Sequence, residues 1–110
     1  MAFAVRPQPP EIEVRINFGI YTGRRATEAE LDRLARWLLD EIEAVSIVSE
    51  ERHEFDRELE TSVHQVRIEL TTGVPADSAA RRTLETRIVE RAEHWARQCV
   101  ADRRVEAAEL

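Results

Sequence analysis

Residues 11–20 alternate in chemistry with a period of two. Ile12, Val14, Ile16, Phe18 and Ile20 fall on one side, and Glu11, Glu13, Arg15 and Asn17 on the other. Such a run is a strand with one face against a core and one face in water. It cannot stand alone, so the rest of the chain has to supply a second layer. Residues 27–42 switch to helical spacing, 44–72 return to strand chemistry, and 77–101 are helical again. The pattern predicts an α+β two-layer sandwich of order β-α-β-β-α. Its sheet is mostly antiparallel, in strand order 1-3-2, with both helices on one face.

Local signals place the boundaries. The run Pro7-Gln8-Pro9-Pro10 excludes helix and central strand, so residues 1–10 read as a flexible, proline-rich arm. The first strand is expected to reach Tyr21, with Gly19 marking a bulge or a close backbone approach. Thr27 and Glu30 form a capping box for the first helix, whose apolar stripe is Leu31, Leu34, Ala35, Leu38 and Ile42. The second strand starts near Val45 and Ile47, and the third ends on Val66, Ile68 and Leu70. Between them, residues 49–62 are strongly polar and have no core face to bury. The two strands are therefore expected to run past the helices as a solvated, mobile hairpin turning near Asp56-Arg57-Glu58. Gly73-Val74-Pro75 breaks the third strand, and Asp77 or Ser78 caps the last helix. The inward stripe of that helix reads Ala80, Leu84, Ile88, Ala92, Trp95 and Cys99. The reading is one α+β domain over residues 11–101 and a fraying helical tail over 102–110. This succession of elements resembles a ferredoxin-like fold without its closing fourth strand, a likeness that implies no function by itself.

Charge and composition remove several function classes. A net charge of −6 and an isoelectric point near 5.1 disfavour nucleic acid and anionic membrane surfaces as partners, because both need a basic face. All 16 basic residues are arginine, so lysine nucleophiles, Schiff bases and P-loop chemistry are excluded. A single cysteine, Cys99, rules out an internal disulfide and fits a reducing compartment. With no signal-like or membrane-spanning apolar run, the expected location is cytoplasmic. Gly19-Ile20-Tyr21 matches the first half of the GIY-YIG nuclease signature, but Tyr21 is the only tyrosine, so the second half does not exist here.

The titratable residues offer one chemical constellation. His53 shares the parity of Val45 and Ile47, and His64 that of Val66 and Ile68. Both imidazoles are thus expected on the helix side of the hairpin, with Glu51 beside His53. Two imidazoles and a carboxylate form a candidate site for a zinc or ferrous ion, weighed against two histidines in a polar ribbon with no function. No cofactor is predicted. Cys99 falls on the buried stripe and reads as a small hydrophobe, and His94 reads as a surface partner of Glu90.

Interface candidates come from apolar residues out of place. Trp37 and Leu39 lie off the first helix's stripe, on opposite flanks, as Val89 and Val100 do on the last helix. In the 1-3-2 order the first strand, with Val14, Ile16 and Asn17, is an uncovered edge that invites another chain. On the outer sheet face, Glu13, Arg15 and Asn17 are expected to meet Gln65, Arg67 and Glu69, acid against arginine. Two function classes follow. One is a non-enzymatic interaction module, self-associating as a homodimer or binding a protein partner. The other is a small-molecule-binding or enzymatic dimeric α+β barrel in which His53, His64, Glu51 and Tyr21 supply the polar groups.

Overall fold

A computed structural model describes residues 10–109, with side chains through Asp102. The order is β1 (Ile12–Ile16), α1 (Phe18–Thr22), α2 (Glu28–Leu39), β2 (Ser46–Phe55), β3 (Glu60–Leu70) and α3 (Ser78–Glu109). The fold is α+β, with three helices and one three-stranded antiparallel sheet ordered β1-β3-β2 among the described residues. Residues 1–9, most of the expected arm, lie outside the described residues. The helical backbone runs on to Glu109, through the segment read as a tail.

The first departure from the expected order is at Asn17. The strand does not reach Tyr21, and Gly19 is not a bulge. The Asn17 side chain accepts a hydrogen bond from the Ile20 backbone N–H at 3.3 Å and starts the one-turn helix α1. Asparagine competes for nearby backbone donors in this way, which favours caps over strand continuation. Gly23 ends the turn at φ 69°, its N–H donating to the Gly19 carbonyl, the left-handed cap that glycine adopts without steric cost. The turn ends the alternation. Phe18 drops fully into the core and stacks on Trp95 with ring centroids 5.0 Å apart, whereas Ile20 is 78% exposed.

The Thr27–Glu30 capping box forms as the spacing predicts, and Leu34 and Leu38 become the buried centre of α2. Asp77 accepts from the Ala80 N–H at the start of α3. That helix buries Ile88, Ala92, Trp95, Ala96 and Cys99, while Leu84 is half-buried and Ala80 exposed. Ala80 leaves the expected stripe because it sits in the first turn of α3, before the helix reaches the core. The core closes with Ile12, Val14 and Ile16 of β1 against Val66, Ile68 and Leu70 of β3.

The outer face corrects a second expectation. The register sets Glu13 opposite Glu69 and Arg15 opposite Arg67, like against like. The repulsion is relieved diagonally: Arg67 lies 2.8 Å from Glu69, 3.7 Å from Glu13 and 3.7 Å from Glu50. Along β1 itself Arg15 lies 3.4 Å from Glu13, so the like charges directly across the ladder are offset by neighbours and not by their own cross-strand partners.

Candidate interaction surface

The β2–β3 hairpin is the element that reaches beyond the sandwich. Strands of 10 and 11 residues span far more length than the five of β1, and every residue from 51 to 62 is exposed. The turn sits at the expected place. Asp56 N–H donates to the Leu59 carbonyl, and the Asp56 carboxylate accepts from the Glu58 and Leu59 N–H groups at 2.8 Å each. Self-bonding of this kind is what an aspartate-led turn needs.

The register fixes what the helix-side face of this ribbon carries. Glu51 stands opposite His64, His53 opposite Ser62, and Phe55 opposite Glu60. The two histidines and Glu51 therefore share one face. His53 lies between two carboxylates, with Nδ1 3.2 Å from Glu60 and Nε2 3.8 Å from Glu51. Among the described residues no group of three histidine, cysteine or acidic side chains is arranged to hold a metal ion. His64 instead lines a separate cleft of about 400 Å³ between the hairpin and α1, with Asn17, Gly19, Ile20 and Ser62. Tyr21 packs against the core rather than into that cleft.

The hairpin also carries an apolar pair that its polar composition conceals. Phe55 and Leu59 are the only apolar members of the stretch 49–62, and they stand 73% and 62% exposed at the tip. The Phe55 ring stacks on His53 at 6.3 Å. Around them Glu50, Glu51, Glu54, Asp56, Glu58 and Glu60 outnumber Arg52 and Arg57, so the tip is an apolar pair inside an acidic rim.

The sequence-derived interface residues separate. Val14 and Ile16 face the core, Asn17 caps α1, and Leu39 is 48% exposed. Trp37 is half-buried against the core, beneath the Arg33 guanidinium and beside His94 at 5.6 Å. His94, expected to pair with Glu90, thus stacks on an indole instead. Trp37 and Leu39 remain on opposite flanks of α2.

A polar cluster between α2 and α3 was not anticipated. A cleft of about 290 Å³ is lined by Arg24, Thr27, Glu30, Arg33, Cys99 and Asp102. Arg24 holds Glu30 through two parallel bonds of 2.7 and 2.8 Å. Arg33 reaches Asp102 at 2.7 Å and the Cys99 Sγ at 3.4 Å, and the Trp95 indole donates to the Glu30 carbonyl at 2.8 Å. The Arg24 guanidinium brings the Glu30 carboxyl down to about 2, and burial, helped by the neighbouring Glu30, pushes the Cys99 thiol up to about 11. A thiol that stays protonated is a poor nucleophile, and both arginines are already neutralised by carboxylates of their own chain. The cluster therefore fastens helices together. Thr27 and Glu30 carried a sequence signal as a cap, and Cys99 as a member of the buried stripe; the arginines carried none, and the cross-helix pairs join residues up to 69 positions apart.

Among the described residues no helix is long and apolar enough to cross a membrane. Comparison with protein-family models, curated proteins and solved structures finds no match for this chain.

Proposed function

We propose that this chain is a non-enzymatic protein-interaction module whose hairpin arm engages a protein partner. The observation that carries the reading is the exposed pair Phe55 and Leu59 at the tip of a ribbon that buries nothing of its own. Covering a large apolar side chain is worth about 1.5–3 kcal/mol. That gain is open to a partner and closed to the monomer. The acidic rim selects a partner surface with basic residues around an apolar recess, and it speeds encounter. A ferredoxin-like sandwich without its closing strand and a cytoplasmic location accompany this reading, supported by the element pattern and by the lone buried cysteine. The alternative, a ligand-binding or enzymatic barrel built on His53, His64 and Glu51, has less behind it, because these groups do not converge with Tyr21 on one cleft.

The test compares the intact chain with a Phe55→Ser/Leu59→Ser variant as immobilised bait, followed by binding of the purified captured protein. The reading expects a partner held by the parent chain and weakened at least about tenfold by the double substitution, which corresponds to about 1.4 kcal/mol. Stability of the variant should change by no more than about 0.5 kcal/mol, since neither side chain packs in the core. Equal binding by both chains, for every captured protein, would remove the arm from the function.

A further inference from the structure

We propose that two copies of this chain pair antiparallel through β1, about a two-fold axis at Val14. This contact uses the sheet edge opposite the hairpin arm and does not depend on what the arm binds. β1 is bonded to β3 on one side and, among the described residues, has no strand on the other. An open edge of this kind is the standard point of strand addition.

The register follows from the sequence of the edge. With Val14 on the axis, Ile12 faces Ile16 of the second copy, and Glu13 faces Arg15 of the second copy, both twice by symmetry. Moving the axis to Glu13 sets that glutamate against itself, and moving it to Arg15 sets arginine against arginine. A half-step shift places core-facing side chains opposite solvent-facing ones, which the pleat forbids. Only the Val14 axis matches every pair.

The same register answers the uncomfortable pairings within one chain. Glu69 and Glu13 stand side by side, as do Arg67 and Arg15. Across the proposed axis one row becomes Glu69, Glu13 and then Arg15 and Arg67 of the second copy, and the other row is its mirror. Each like-charged pair thus gains an opposite pair as its neighbour.

The helical layer is compatible with the contact. α3 meets α2 through Arg91 and His94 at Trp37, and the turn after α2 through Arg87 and Arg91 at Glu41. At 100° per residue, Val89 and Val100 lie on the flank turned away from α2. Val89 is 36% exposed there, free to meet α3 of the second copy on the same side of a six-stranded sheet. Trp37 and Leu39 sit on α2 and take no part. In such a dimer β2 forms both outer edges, and the two arms point in opposite directions, giving a bivalent particle.

Sedimentation equilibrium on four full-length chains tests this: the parent, Glu13→Arg, Arg15→Glu and the double exchange. Each single exchange puts like charges across the axis twice. Within the chain each exchange sets a guanidinium against Glu69 or a carboxylate against Arg67 and gives up the 3.4 Å contact of Arg15 with Glu13. Urea unfolding of each variant therefore accompanies the sedimentation, and a variant that unfolds is set aside in favour of the mixture and the double exchange. The parent and the double exchange should dimerise alike, and each single exchange should weaken dimerisation about tenfold or more. An equimolar mixture of the two single variants should recover the dimer, because their edges are then complementary. A monomeric parent at about 100 µM, roughly the range of weak self-association, would overturn the proposal. So would single variants that dimerise as tightly as the parent, or a mixture that fails to recover.

Discussion

Replacing Glu30 by glutamine isolates one ion pair without disturbing the cap around it. Glutamine at this position still accepts the Thr27 N–H, so the helix start survives while the charge is lost. The carboxyl, at about 2 instead of its ordinary 4.5, is held chiefly by Arg24. A shift of that size corresponds to about 3 kcal/mol of folding free energy at neutral pH. The two side chains keep 20% and 14% of their exposure, and solvent screening brings the expectation to about 2 kcal/mol. Because the folded-state value is depressed, this contribution is present in full above pH 4.5 and is lost as pH falls towards about 2. Urea unfolding should therefore show a loss of about 2 kcal/mol for Glu30→Gln near neutral pH, shrinking below about 1 kcal/mol at about pH 3. A carbon-detected titration of the Glu30 carboxyl would read the same shift directly. A loss under about 0.5 kcal/mol near neutral pH, or one of equal size at both pH values, would refute the assignment of this bond as a charge-assisted latch.

Cys99, buried and with its thiol at about 11, should react with a disulfide reagent at about pH 8 only at the rate of opening, and rapidly in urea; fast reaction of the native chain would contradict the packing. Gly23→Ala should cost about 1 kcal/mol in urea unfolding because φ is 69° there, and a neutral result would mean that the α1 cap has another geometry in solution.

Much of the frame was legible in residue order. The capping box at Thr27, the polar break between Val48 and Val63, and the aspartate-led turn each rest on short-range chemistry, and short-range chemistry survives folding. The alternation from Ile12 to Ile16 likewise had one outcome, since only a strand puts those three side chains on one face. The alternation failed at Asn17, where a short polar side chain outcompeted the next strand bond. No periodicity contains that choice, and so Ile20 went outward and α1 was missed.

The candidate sites divide along the same line. Which face His53, His64 and Glu51 share follows from parity, a property of the sequence. Their failure to meet around one point does not, because spacing along a ribbon is set by the rise of about 3.3 Å per residue and the cross-strand partner. Like charges opposite one another on β1 and β3 were equally invisible, since register between distant strands is chosen by the core face and the outer face inherits the result. The contact of Arg33 with Asp102 exists only where α3 meets α2, joining residues 69 positions apart, whereas Arg24 and Glu30 are close in sequence. By itself, then, the sequence determined the three strands, the two long helices, the Thr27 cap and the solvated hairpin, all of them local balances of backbone bonding and side-chain period. The tertiary structure alone decided which charges face each other across β1 and β3 and how Arg33 on α2 reaches Asp102 on α3, because each depends on residues brought together from far apart in the chain.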